Sequence, residues 1–153
     1  MLSKRELRDY KNMLSDILCI RCPEIEIDGS AKGAYLLEGK VYINPKWYHE
    51  IADENYSEEY FERYGIAHEF RHYWQQAKMG VKEWENCYES HENYNTNPLE
   101  VDANAFAALV LTIIYNYEKH VGIEKESVPF VQKRMEEIYW NEYPTRDLFD
   151  KYS

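Results

Sequence analysis

The chain has 153 residues, a length that predicts one domain with a single core and no room for a second. Its 28 acidic residues outnumber 18 basic residues and give a formal net charge of -10, which repels phosphate backbones and anionic lipid surfaces. We therefore expect neither nucleic acid nor a membrane among its partners. The hydrophobic fraction of 44% is that of a globular protein.

The first predicted element is an amphipathic helix over residues 3–20, in which Leu7, Tyr10, Leu14 and Ile17 recur at helical spacing. Charged residues interrupt the N-terminal sequence every few positions, so it lacks the apolar segment that is typical of a signal peptide. The three cysteines are an odd number, which favours free thiols over a disulfide framework. Together these features predict a cytoplasmic protein.

Residues 24–44 are predicted to form three β-strands. The sequence EIEI alternates apolar and acidic positions, and a Glu38-Gly39 turn separates the next two apolar segments. The second and third strands are therefore expected to form a hairpin. The whole is predicted to be a small, mainly antiparallel sheet.

Three helices follow in the prediction, over residues 57–79, 97–118 and 127–143. Ser57 and Asn97 are the expected N-caps of the first two, and Gly80 ends the first. The second helix is apolar on nearly every side and should be buried. Gly65 lies inside the first helix. It indicates either that this helix approaches the sheet closely or that the position simply tolerates glycine. The tail after the third helix is expected to be peripheral, and the elements together predict an α+β fold.

The first of these helices contains the sequence HEFRH at residues 68–72, an H-E-x-x-H motif. Residues four apart lie on one face of a helix, so the rings of His68 and His72 can bind one zinc ion. Zinc lowers the pKa of a bound water from about 16 to about 7, and Glu69 is placed to accept the proton as general base. The motif predicts one zinc ion per chain.

A catalytic zinc site needs a third protein ligand, and Glu100 is the best candidate in the sequence. It lies in the first turn of the apolar helix over residues 97–118, where an unpaired carboxylate would be costly. An acidic residue also favours a helix start without any metal. Asn104, one turn further along the same face, is placed to hold a ligand histidine through its second ring nitrogen. The other candidates for the third ligand are Asp102, His91 and Glu92.

These two motifs resemble those of the small gluzincin-like zinc metallopeptidases, in particular the ImmA/IrrE type. In that family an H-E-x-x-H motif is followed some tens of residues later by E-x-x-A-(N/D)-x-F-A, which the segment from Glu100 to Ala107 matches. The stretch HEFRHYWQ, which includes Arg71, is also similar to the motif of minimal gluzincins. Arg71 itself is expected to be solvated or salt-bridged. The resemblance implies that Glu69 is the general base, that Asn104 supports a ligand histidine, and that the zinc ligands are His68, His72 and Glu100.

The resemblance also implies a zincin-like fold, in which a strand beside the active-site helix offers its edge to an extended peptide. The segment 40–43 is the candidate for that strand. Tyr94 is a further candidate for substrate binding, and both Tyr88 and Tyr94 are candidates for a hydrogen bond to a developing oxyanion. The strand residues predicted to bind substrate are Val41, Tyr42 and Ile43.

The predicted function is hydrolysis of peptide bonds by a zinc-dependent metallopeptidase whose substrate is a peptide or protein. A regulatory protease with few targets follows from the family resemblance alone. Two alternatives stay open: a non-catalytic binding or scaffold protein that zinc stabilises, and a zinc amide hydrolase that acts on a small molecule. The intact Glu69 favours a hydrolase, because a structural zinc site needs no general base.

Overall fold

The computed structural model describes residues 1–117, 123–142 and 145–153, apart from the side chain of Thr145. Within these residues the chain forms an α+β fold with seven α-helices and one three-stranded sheet. None of the helices in the described part is both long and apolar enough to cross a membrane. The strands are β1 (Glu24–Ile27), β2 (Ala34–Leu37) and β3 (Lys40–Ile43). The helices are α1 (Lys4–Leu18), α2 (Pro45–Ile51), α3 (Glu58–Met79), α4 (Val81–Glu89), α5 (Pro98–Leu109), α6 (Val128–Asn141) and α7 (Thr145–Tyr152).

Local capping signals explain where the predicted helices begin. Ser3 and Glu6 form a capping box, in which each side chain accepts a hydrogen bond from the other residue's amide. The side chains of Ser57 and Asn97 accept hydrogen bonds from the first turns of α3 and α5. The four predicted helices thus correspond to α1, α3, α5 and α6, although α5 continues after Leu109 as a π-helical turn. The predicted end positions 118 and 143 lie outside the described residues.

The sheet is mixed, so the prediction of a mainly antiparallel sheet is wrong. Its strand order is β1-β3-β2, with β2 antiparallel to β3 and β1 parallel to it. Glu38 and Gly39 form the β2–β3 turn with φ angles of 50° and 77°, as a tight hairpin requires. The hairpin leaves β3 with one unpaired edge, and β1 occupies that edge. The central strand of the sheet is therefore β3.

Helix α3 lies between the sheet and the other helices. It packs on β2 and β3 on one side and on α5 on another, while α5 also packs against α6. Every residue of α5 from Leu99 to Leu109 is buried, as its apolar sequence predicts. The pairing of α3 with α5 brings the HEFRH segment and the first turn of α5 together.

The sequence does not predict α2, α4 or α7, which are short. The C-terminal tail is not peripheral, because α7 packs against α1, α6 and the π-helical turn. Phe149 of α7 is fully buried, and its ring lies 6.0 Å from that of Phe106 in α5. A helix of eight residues shows too few turns for its apolar spacing to be recognised reliably.

Gly65 lies where α3 approaches Tyr48 of α2 and Ala34 of β2. A methyl group at position 65 would overlap Tyr48 Oη and would lie 3.5 Å from the Ala34 side chain. Tyr48 Oη is buried and has no hydrogen-bond partner among the described residues. The glycine therefore accommodates a neighbouring tyrosine as well as the sheet.

We expect Gly65→Ala to destabilise the protein by more than about 1 kcal/mol, although alanine favours a helix, because overlap with Tyr48 outweighs propensity. Tyr48→Phe should be neutral or stabilising, because it removes a buried hydroxyl without a partner. In the Tyr48→Phe background, Gly65→Ala should cost less. Urea unfolding of the two single variants and the double variant measures this. Additive free energies would show that the two residues do not interact.

Candidate metal centre

Three side chains that could hold a metal ion converge where α3 meets α5. His68 and His72 lie one turn apart on α3, and Glu100 lies in the first turn of α5. Glu100 Oε1 is 2.6 Å from His72 Nε2 and 3.1 Å from His68 Nε2, and the two Nε2 atoms are 3.1 Å apart. All three side chains are buried. The three residues that the sequence predicts as ligands are thus brought together.

The donor set could hold a metal ion. Ligand atoms of a tetrahedral zinc site lie about 3.3 Å apart when the metal–ligand bonds are about 2.0–2.1 Å, so small side-chain shifts would accommodate an ion here. Two imidazoles and one carboxylate leave the fourth position open. The second oxygen of Glu100 accepts a hydrogen bond of 2.9 Å from Tyr88 Oη, which leaves Oε1 facing the histidines.

The carboxylate of Glu100 favours positive charge between these groups, either as protons on the histidines or as a metal ion. Burial alone would raise the pKa of Glu100, but hydrogen bonds from His68 and His72 outweigh burial and lower it. Burial alone would lower the pKa of His72, but its hydrogen bond to Glu100 and the charges of Glu69 and Glu100 raise it to about 9. Glu100 is therefore an anion that hydrogen bonds from both histidines stabilise, and a metal ion bound in place of those protons would stabilise it as well.

Glu69 follows His68 on α3 and faces a cleft of about 760 Å³. Burial raises the pKa of its carboxyl group, and the positive charges of His68 and His72 oppose that effect. The side chain is nine-tenths buried and accepts no hydrogen bond from the described residues. A carboxylate in this position is free to take a proton from a water molecule in the cleft.

The cleft is formed by β2 and its turn on one side and by α3 and α4 on the other. It also reaches His72 and Glu100. The prediction that β3 offers its edge to a substrate is wrong, because β3 is paired on both sides. Val41 and Ile43 are 0% and 2% exposed and belong to the core, and Tyr42 stacks on Tyr35 of β2 at 4.9 Å. The edge strand beside the metal centre is β2.

The residues predicted to support the site occupy different positions from those expected. Asn104 Oδ1 accepts a hydrogen bond of 2.8 Å from Tyr64 Oη, and the Nδ1 atom of His68 has no partner among the described residues. Asn104 therefore does not hold a histidine ring directly. Tyr94 is half exposed and lies near Glu100 and Asn104 rather than in the wall of the cleft.

None of the alternative third ligands joins the cluster. Asp102 instead accepts hydrogen bonds from Arg71 and Arg134, so its charge is already neutralised. His91 lies on the surface, where its ring contacts Ser90, and Glu92 is also exposed. From the sequence, Arg71 is expected to be either solvated or salt-bridged. It forms a salt bridge with Asp102 and is buried.

Sequence reasoning missed Gln75 and Trp84. Gln75 Oε1 lies 2.8 Å from His72 Nδ1, and Trp84 Nε1 donates a 2.9 Å hydrogen bond to the same oxygen. The spacing of three residues between His72 and Gln75 on one helix is a signal that could have indicated this contact. Trp84 comes from α4, whose packing on α3 the sequence does not indicate.

Comparison of the chain with protein-family models, curated proteins and solved structures finds no match. The chemistry of the site therefore has to be inferred from the side chains that form it.

Proposed function

We propose that the protein is a zinc-dependent metallopeptidase that hydrolyses peptide bonds. The observation that carries the proposal is the convergence of His68, His72 and Glu100 beside a cleft that Glu69, His72 and Glu100 line. When bound there, a zinc ion would supply Lewis-acid activation of a water molecule and of the scissile carbonyl. A site that served only to join helices would need neither the open cleft nor the carboxylate of Glu69.

Each residue of the site has a distinct role in this proposal. His68, His72 and Glu100 hold the metal. Glu69 removes a proton from the attacking water and then gives it to the amine that leaves, so the proton balance of hydrolysis is complete. Tyr88, whose hydroxyl reaches Glu100, orients that carboxylate.

The shape of the cleft supports a peptide substrate over a small molecule. An edge strand has unpaired backbone amide and carbonyl groups along one side, and an extended peptide can pair with them. β2 is such a strand, and its residues Tyr35 to Leu37 line the cleft beside Glu69. A closed pocket would instead favour a small amide.

The charges of the cleft favour a substrate with basic side chains. Glu38 of the hairpin turn and Glu85 of α4 line it from opposite sides, and no lysine or arginine is among its described lining residues. Both carboxylates are exposed, and neither forms an ion pair within the described part of the chain. A lysine or arginine near the scissile bond would meet attraction from both walls.

We expect a peptide with lysine next to the scissile bond to be cleaved with a lower KM than its glutamate counterpart. The double variant Glu38→Gln/Glu85→Gln should reduce the preference about fivefold, since exposed charge pairs contribute about 0.2–1 kcal/mol each. Added salt should reduce it as well. Steady-state kinetics on the two peptides measures the effect. A preference that is unchanged in the double variant would rule out these glutamates as its source.

The metal itself is tested by elemental analysis of protein purified without chelators. We expect about one zinc ion per chain in the wild type, and loss of zinc in both His72→Ala and Glu100→Ala, because each variant leaves only two ligands. His91→Ala, which removes a surface histidine outside the cluster, is the matched control and should keep its zinc. A wild-type protein that takes up no zinc, even after incubation with the metal, would exclude the metallopeptidase.

A further inference from the structure

Gln75 is a buried residue whose four hydrogen bonds connect the metal centre to the interior of the protein. Its Oε1 atom is shared by His72 Nδ1 and Trp84 Nε1 at 2.8 and 2.9 Å. Its Nε2 atom donates to the backbone oxygen of Leu99 at 2.9 Å and to Asp102 Oδ2 at 2.8 Å. These other three partners therefore determine which atom of the amide faces His72.

Those partners permit only one orientation of the amide. The indole nitrogen of Trp84 can only donate, so it must face the oxygen of Gln75. The carbonyl of Leu99 can only accept, and Asp102 is a carboxylate held by two arginines, so both must face the amide nitrogen. A flipped amide would place donor against donor and acceptor against acceptor, with the unmade hydrogen bonds buried.

We propose that Gln75 is a positioning residue that makes His72 keep a hydrogen on Nδ1 and present Nε2 to the metal. Because Oε1 can only accept, the Nδ1 atom opposite it must carry a hydrogen. Only Nε2 is then available as a ligand atom, and it faces Glu100. This inference rests on the proposed metal site and identifies a residue on which the affinity of that site depends.

The support behind Gln75 is rigid. Asp102, which accepts from its amide nitrogen, is held by Arg71 of α3 and by Arg134 of α6 through hydrogen bonds of 2.8 Å. The other acceptor is the main chain of α5 at Leu99. The orientation of the His72 ring thus depends on contacts from α3, α4, α5 and α6, whereas His68 Nδ1 has no such partner among the described residues.

Two substitutions separate positioning from simple structural support. Gln75→Met has a similar shape but no acceptor for His72, and we expect it to weaken zinc binding about 10- to 100-fold. Gln75→Glu keeps an acceptor for His72 and Trp84, and its other oxygen must carry a proton because it faces the acceptors Leu99 and Asp102. With that proton in place its zinc affinity should stay within about threefold of the wild type. Both variants disturb the contacts with Leu99 and Asp102, since methionine has no donor and a protonated glutamate has one, so a purely structural role would weaken zinc binding in both.

Zinc affinity is measured by competition with a chromophoric chelator, and circular dichroism confirms that each variant is folded at the temperature used. Equal weakening in Gln75→Met and Gln75→Glu, or wild-type affinity in Gln75→Met, would overturn the proposal. No proteolytic activity is needed for this measurement. The result for Gln75 therefore does not depend on identifying a substrate.

A second measurement uses the wild-type protein without metal and needs no variant to fold. The hydrogens on His72 Nδ1 and Trp84 Nε1 point to one oxygen and lie within about 4 Å of each other. Nuclear Overhauser spectroscopy of protein with labelled histidine should show a cross-peak between them. Its absence would overturn the assignment of the hydrogen to Nδ1. If the wild type binds no zinc but shows the cross-peak, the proposed function fails and the contact stands.

Discussion

Glu69→Gln is expected to reduce peptide hydrolysis at least about 100-fold while the zinc content of the protein stays unchanged. General-base catalysis contributes about 10²- to 10⁴-fold, and glutamine has almost the same shape as glutamate but cannot accept the proton. Glu69 lies beside the ligand cluster rather than in it, so metal binding does not require its charge. Cleavage of a library of lysine-containing peptides, followed by mass spectrometry, measures the loss.

Glu83→Gln is the matched control for this experiment. Glu83 lies on the exposed surface of α4 and does not line the cleft, so the same chemical change there should leave cleavage unaffected. A Glu69→Gln protein that binds zinc and still cleaves peptides at the wild-type rate would contradict the role of general base. Loss of zinc together with activity would instead identify Glu69 as a ligand.

Arg71→Met is expected to lower the free energy of unfolding by about 3–5 kcal/mol, the typical cost of removing one partner from a buried ion pair. Arg71 is 1% exposed, forms two hydrogen bonds with Asp102 and also contacts Glu142. Its guanidinium carbon lies 3.7 Å above the ring of Trp74. Without Arg71, Arg134 is the one cation among the described residues that still pairs with Asp102. Urea unfolding measures the change.

Two further variants define the cause of that loss. Arg71→Lys keeps the charge but not the paired hydrogen bonds, so its stability should fall between those of the wild type and Arg71→Met. Arg8→Met removes an exposed partner of Asp9 and should leave the unfolding midpoint unchanged. If Arg71→Met were as stable as the wild type, the buried ion pairs would contribute nothing to the fold.

The same ion pairs determine how stability depends on acid. Burial alone would raise the pKa of Asp102, but hydrogen bonds and charge from Arg71 outweigh it and lower the pKa below its ordinary value. A group whose pKa is lower in the folded protein stabilises the fold above its unfolded pKa. That stabilisation is lost as the pH falls below about 4. Acid titration of the wild type should therefore show a stability loss in this range that is smaller in Arg71→Met.

The parts of the site that the sequence predicts are those that depend on local spacing. His68 and His72 share one face of α3 because they are four residues apart, and Ser57 and Asn97 mark the starts of the two helices that matter. The apolar character of α5 predicts only that this helix is buried, and the need of a catalytic zinc site for a third ligand is what singles out Glu100. The family resemblance implied the same three residues.

The parts that the sequence does not predict depend on contacts between distant segments. β3 is the central strand because β1 pairs with the edge that β2 leaves free. Alternation of apolar residues cannot show which edge a strand pairs with. The side-chain amide of Asn104 accepts a hydrogen bond from Tyr64 of α3 and does not contact a histidine. Which residue of α3 it contacts depends on how α5 packs, and the sequence does not show this. The tail packs inward through Phe149, with Leu148 and Tyr152 partly buried beside it, and so short a segment shows no clear period.

The convergence of α3 and α5 at the candidate metal centre would also link zinc binding to folding. Glu100 is 28 and 32 residues away from the two histidines in the chain, so the three donor atoms meet only after both helices have packed. A ligand that binds the folded chain but not the unfolded chain increases the free energy of unfolding. Zinc at a free concentration 100 times its dissociation constant would thus add about 2.7 kcal/mol. The availability of zinc would then set how much of the protein is folded as well as how much is active.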